Sequence, residues 1–154
     1  FDVYVEFLND SDKKGFVGIE VKYHENLKLP PAHIKDQYFK VASTIGCFKE
    51  ECLDVLQTSP FEQIWRDHLL AGSLLYSPKD DFKDGFFVFL SPQDNLHCQE
   101  AVKQYKQCLT VNRTFQSWTL EDVAKVIEEE TNENWIDDLI DRYLNFGKIE
   151  KMVK

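Results

Sequence analysis

The stretch Asp2-Val3-Tyr4-Val5-Glu6-Phe7 and, after the polar run from Asn9 to Gly15, the stretch Val17-Gly18-Ile19-Glu20-Val21-Lys22-Tyr23 decide the fold. Val3, Val5 and Phe7 alternate with Asp2, Tyr4 and Glu6, and Val17, Ile19, Val21 and Tyr23 alternate with Gly18, Glu20 and Lys22. That period of two predicts a β-hairpin over Phe1 to His24 with one apolar face. Strand side chains change face at every residue, so Asp2, Glu20 and Lys22 are expected to project together from the opposite face, at the end away from the turn. Such a group reads in two ways. On a solvated sheet face it is a cross-strand ion pair contributing a few tenths of a kcal/mol. Around a hard divalent cation, Asp2 and Glu20 become oxygen ligands, and Lys22 holds the charge that develops on a phosphate oxygen or an attacking water.

An aspartate on one strand (Phe1-Asp2-Val3) and, after a hairpin turn, an acid-x-lysine on the next (Glu20-Val21-Lys22) resemble the motif of the PD-(D/E)XK nuclease superfamily. The run Gly18-Ile19-Glu20-Val21-Lys22-Tyr23 is similar to a bacterial branch of it, in which a helix resembling Glu62-Gln63-Ile64-Trp65-Arg66-Asp67-His68-Leu69-Leu70-Ala71 follows, then a strand resembling Gly85-Phe86-Phe87-Val88-Phe89-Leu90-Ser91-Pro92. The resemblance covers about the first two thirds of the chain. It implies a restriction-endonuclease-like core, Asp2, Glu20 and Lys22 as catalytic residues, and metal held by Asp2, Glu20 and the Val21 carbonyl. The superfamily core carries a helix and a strand ahead of the aspartate, so residues 1–154 are expected to be a single nuclease-like domain lacking those N-terminal elements.

Composition sets the frame. The 154 residues are 43% hydrophobic and 29% charged, enough apolar material for one real core, and twelve Phe, six Tyr and three Trp predict an aromatic-rich one. No run approaches the ~20 apolar residues of a membrane span, and the chain reads as a soluble, cytoplasmic protein with no membrane partner. Cys47, Cys52, Cys98 and Cys108 match no zinc spacing and are expected to be reduced. The net charge of −9 opposes non-specific binding of nucleic acid. Much of the acid lies in the C-terminal third, however, while Lys13, Lys14, Lys22, Lys28, Lys35 and Lys40 are expected near the proposed site.

Beyond the hairpin, Leu29-Pro30-Pro31 closes a loop, His24 to His33, expected at the mouth of the site. Ile34, Tyr38, Val41, Ala42 and Ile45 recur at helical spacing before Gly46, and Lys49 to Leu56 predicts a short helix. Ser59-Pro60 predicts a helix start, Ser as cap and Pro at the first helical position, with the helix running to Leu75. On it Gln63 and Arg66 share a face. They form either a solvent stripe with Arg66 paired to a carboxylate, or a substrate-binding edge in which Arg66 meets phosphate and Gln63 orients a ligand or water. Phe86 to Leu90 predicts a central strand, Leu96 to Leu109 a helix, and Leu109 to Phe115 a short strand or extended link. Thr119 opens a helix through Thr131, and Asn134 to Phe146 predicts a last amphipathic helix that Gly147 stops.

The expected fold is therefore α/β (α+β): a small mixed sheet, with the hairpin carrying the motif, flanked by several helices. The resemblance implies a hydrolase: a Mg²⁺- or Mn²⁺-dependent phosphodiesterase, that is a DNA-binding nuclease, exo- or endonuclease, with Glu6 as a more distant acid. Two other readings remain open. One is a nuclease-fold binding or scaffold module without turnover. The other is an interaction protein whose C-terminal acidic helices contact a homodimer mate or a basic protein partner.

Overall fold

The computed structural model describes residues 1–28, 34–131 and 135–145. The expected hairpin forms: β1 (Val3–Leu8) and β2 (Lys14–Val21) pair antiparallel, with Val3 opposite Ile19 and Val5 opposite Val17. The turn is held by Asn9, whose side-chain oxygen accepts the backbone N–H groups of Ser11 and Lys13. β3 (Asp84–Ser91) lies parallel to β2, with Glu20 beside Phe89, and β4 (Phe115–Thr119) lies parallel to β3, giving a four-stranded mixed sheet in the order β1-β2-β3-β4.

The helices are α1 (Asp36–Ile45), α2 (Leu53–Leu56) after a 3-10 turn (Glu50–Cys52), α3 (Glu62–Leu75), α4 (Leu96–Gln107), α5 (Leu120–Glu130) and α6 (Trp135–Tyr143). Several ends follow the expected chemistry. Gly46 closes α1 in the left-handed conformation at φ 67°, where a side chain would be strained. Asn95 caps α4 by accepting the Cys98 N–H, and Thr119 caps α5 by accepting the Asp122 N–H.

Three expectations are corrected. Ser59 does not cap α3: its hydroxyl donates to the Leu27 carbonyl at 2.6 Å, and the helix begins only at Glu62, on Thr58 and Phe61 carbonyls. The strand sought at Leu109 to Phe115 lies instead at Phe115–Thr119; the two apolar residues of Phe115-Gln116-Ser117-Trp118 show little alternation until β3 supplies a template. The last helix spans Trp135–Tyr143, while Asn134, Phe146 and Gly147, like Leu29 to His33, lie outside the described residues.

The third correction concerns the hairpin faces. The face of β2 that carries Gly18 and Glu20 also carries Phe16, and through the parallel register it joins Phe87, Phe89 and Phe115. These four phenylalanines are fully buried, with Ile64, Trp65 and Leu69 of α3 and Ala101, Val102 and Tyr105 of α4 in the same core. The face of Val3 and Val5 is the more open one, both residues being over 40% exposed. Alternation therefore grouped the residues correctly, but the face with the carboxylate is the one the helices cover.

α3 also holds the polar centre of this core. His68 is fully buried; its Nδ1 lies 2.9 Å from the Tyr105 hydroxyl on α4 and its Nε2 2.7 Å from the Thr114 hydroxyl just before β4. Burial pushes its pKa down to about 3, so the imidazole is neutral, one nitrogen donating and the other accepting. Cys47, Cys52, Cys98 and Cys108 are all free thiols. Among the described residues no helix is long and apolar enough to cross a membrane.

A histidine kept neutral by the fold favours folding at pH above its unfolded value near 6.5, and that advantage is lost as pH falls toward 3. The stability gap between the protein and His68→Gln should therefore shrink by about 1 kcal/mol per pH unit between pH 6 and 4. Urea unfolding of both proteins across that range is the measurement; a pH-independent gap would contradict the neutral assignment.

Candidate functional site

The site is built where β2 ends under the first turns of α3. Glu20, at 7% exposure, is buried because its strand parity is that of Phe16 and Gly18. Its Oε1 accepts two hydrogen bonds, from Lys22 Nζ at 2.7 Å and from Gln63 Nε2 at 2.8 Å. Lys22 shares Glu20's parity because the chain stays extended past the strand, where the Lys22 N–H donates to the Leu90 carbonyl at 2.8 Å. Burial works to lower the Lys22 pKa, but the hydrogen bond and charge of Glu20 prevail and hold it above the usual lysine range. Glu20 Oε2 lies 4.0 Å from the backbone nitrogen of Phe1, whose ring stacks on Phe87.

Asp2 reaches the same end of the hairpin from β1. It is exposed, its N–H donates to the Ile19 carbonyl, and its Oδ2 accepts the Val21 N–H at 2.8 Å. Asp2, Glu20, Val21 and Lys22 thus share one strand end, with the Asp2 carboxylate engaged on backbone. Glu6 lies further down β1 beside Phe16, exposed, and accepts from the Tyr4 hydroxyl at 3.3 Å. Lys13 and Lys14 sit at the turn end of the hairpin, some six residues from Glu20 or roughly 20 Å along the strand, so they are no part of this group.

Gln63 and Arg66 part company. Gln63 turns to Glu20, whereas Arg66 Nη1 donates to Glu62 Oε1 at 2.9 Å, one turn back on α3, and this bond raises the Arg66 pKa. Arg66 faces a cleft between α1 and α3 rather than the Glu20 carboxylate.

The sequence pattern marks Asp67 as a polar residue on this helix but assigns it no role. Asp67 lies four residues after Gln63 and so on the same helix face, and its Oδ2 is shut from solvent with no hydrogen-bond partner. Desolvation first, and then the neighbouring Glu20 charge, push its carboxyl up to about 7, while Arg66 and Lys22 pull it the other way. The i, i+4 spacing from Gln63 was the available signal. Among the described residues no three His, Cys, Asp or Glu side chains are gathered as a ready metal cluster.

A mixed α/β sheet whose hairpin presents an acid-x-lysine beside a strand-end aspartate is consistent with a nuclease-type core. The chain belongs to the PD-(D/E)XK nuclease superfamily, whose family model matches residues 1–145. No curated protein and no solved structure matches it.

A carboxyl with a raised pKa stabilises the fold below its unfolded value near 3.8 and loses that contribution as pH rises through about 7. Asp67→Asn, measured in EDTA, should therefore be more stable than the parent at pH 8 by on the order of 2 kcal/mol, after discounting for partial solvent access. At pH 4 it should gain nothing. Thermal melts at the two pH values check this.

Proposed function

We propose that this protein is a cytoplasmic, bacterial, metal-dependent phosphodiesterase that hydrolyses the DNA backbone, with Asp2, Glu20 and Lys22 as its catalytic residues. The observation that carries the reading is the buried Glu20 carboxylate bonded at once to Lys22 and Gln63, one strand end away from Asp2. Superfamily membership supports nuclease chemistry.

The donor set fits a hard divalent cation. Asp2, Glu20 and the Val21 carbonyl are oxygen donors of the kind Mg²⁺ or Mn²⁺ takes, and the half-buried Asp67, whose Oδ2 has no partner and whose carboxyl is pushed up by desolvation and by the Glu20 charge, is a further oxygen donor that a nearby cation would hold ionised. Bound there, the cation supplies Lewis-acid activation of water and phosphate. The chain's own groups do the rest. Gln63 fixes the rotamer of Glu20, so its second oxygen keeps a defined direction. Lys22, kept protonated by Glu20, places a positive charge where the phosphate oxygens gain charge in the transition state. Arg66, anchored by Glu62, is available to a neighbouring phosphate.

A second reading, a protein-binding module without turnover, is favoured by the Asp2 carboxylate being engaged on the Val21 N–H and by the net charge of −9. Metal binding separates the two. Calorimetry should show Mn²⁺ binding that Glu20→Gln abolishes and Lys22→Ala retains, while Mn²⁺-dependent cleavage of plasmid and linear DNA falls at least 100-fold in both variants. Cleavage that survives both substitutions removes these residues from the mechanism, and absence of Mn²⁺ binding by the parent leaves the binding-module reading in possession.

A further inference from the structure

α1 and α3 leave between them a cleft of about 310 Å³, lined among others by Lys35, Tyr38, Val41, Arg66, Asp67 and Leu69. Its lining comes within one helical turn of the residue that holds Glu20. Asp67 lines the cleft, and Gln63, one helical turn before it on the same face of α3, is the residue bonded to Glu20. The distance from one to the other is therefore about one turn of helix, ~5.4 Å.

The lining is chemically mixed in a particular way. Lys35 is exposed, and among the described residues it is paired with no carboxylate. Arg66 is held at Nη1 by Glu62, and a guanidinium has further donors beyond that one. Tyr38 is half-buried, braced edge-on against Trp65 with ring centroids 6.2 Å apart. Val41 and Leu69 supply an apolar wall. Cations that can meet phosphates, flanking an aromatic side chain on which a base can stack, are the parts from which single-stranded nucleic-acid grooves are made. The volume is at the lower limit of small-molecule pockets. That volume is on the scale of one nucleotide unit and cannot enclose a duplex.

We propose that this cleft is a nucleotide subsite for the residue next to the scissile phosphate, so that single-stranded DNA or a frayed end is preferred to an intact duplex. The inference rests on the phosphodiesterase reading of the adjoining Glu20 site. Lys35 and Arg66 hold the backbone, Tyr38 stacks on the base, and the strand is thereby led past Asp67 to Lys22.

Fluorescence anisotropy with a labelled single-stranded oligonucleotide and a blunt duplex of the same sequence tests it, in EDTA so that no cleavage intervenes. The single strand should bind at least about tenfold more tightly. Lys35→Ala should weaken that binding severalfold and reduce the salt slope by about 0.7, the value of one lost phosphate contact. Tyr38→Ala should weaken it about tenfold, with Tyr38→Phe restoring it. Because Tyr38 also packs on Trp65, the exposed Lys35 decides the matter if Tyr38→Ala fails to fold. Equal affinity for the two DNAs, or a Lys35→Ala protein with unchanged affinity and salt slope, overturns the subsite. The two readings fail separately: duplex cleavage without single-strand preference sinks the subsite alone, and single-strand preference in a protein that cleaves nothing sinks the nuclease reading alone.

Discussion

A carboxylate taken out of water must be paired, and the buried Glu20 is paired from two directions at once. Lys22 comes from its own strand end and Gln63 from α3. An ionised acid left alone at that depth would cost several kcal/mol, so the helix docks on the sheet in the one position that supplies the amide. Everything nearby inherits that position. Gly72 of α3 lies so close to Ile45 of α1 that a Cβ at Gly72 would run into the isoleucine side chain, and the α1–α3 spacing that shapes the cleft follows from that contact.

α3 therefore does two jobs along one helix, separated by direction rather than by distance. Gln63 and Asp67 face the strand end, while Ile64, Trp65, His68 and Leu69 face the core. His68 joins α3 to α4 and to the segment entering β4 through Tyr105 and Thr114, so the imidazole and these two hydroxyls are paired inside the aromatic core rather than merely enclosed. A helix pinned at one end by the Gln63–Glu20 hydrogen bond and in its middle by a neutral network has little freedom to slide, and the site residues it carries are placed with it.

Much of this was legible in the chain. Alternation fixed the hairpin and grouped Asp2 with Glu20 and Lys22; the helical spacing before Gly46 fixed α1; the near-continuous apolar run Phe86 to Leu90 marked the strand that lies between two parallel neighbours. What alternation could not say was which face of β2 the helices would cover, because both faces offer apolar residues: Phe16 on one, Val17 and Ile19 on the other. β4 was placed too early, at Leu109 to Phe115, for a related reason, since Phe115-Gln116-Ser117-Trp118 becomes a strand by pairing with β3 rather than by its own pattern. Ser59-Pro60 carries the right residues for a helix start, but the hydroxyl found a better acceptor in Leu27, a contact between distant segments that no local rule contains. Asp67 stood out as a polar residue on an apolar helix but carried no role in the pattern; only its shielded Oδ2, within the field of Glu20, makes it unusual.

The charge at the strand end bears on how such a site could meet a polyanion. When all are ionised, Asp2, Glu20 and Asp67 bring three negative charges against the one positive charge of Lys22, a local balance that repels phosphate as the whole chain at −9 does. The lysines expected to offset it do not all help, since Lys13 and Lys14 stand at the far end of the hairpin. Lys35 and Arg66 line the cleft between α1 and α3 instead, where they can attract a strand without neutralising the carboxylates themselves. Under the proposed phosphodiesterase reading this division is useful. The approach path is cationic and the reaction centre is anionic, so a phosphate is drawn along the cleft yet rests beside Glu20 only when two positive charges have been added there, as a divalent cation adds them. Recognition of the strand and readiness for hydrolysis then depend on different residues, which is the arrangement expected where binding must come first and chemistry must wait for the complete site.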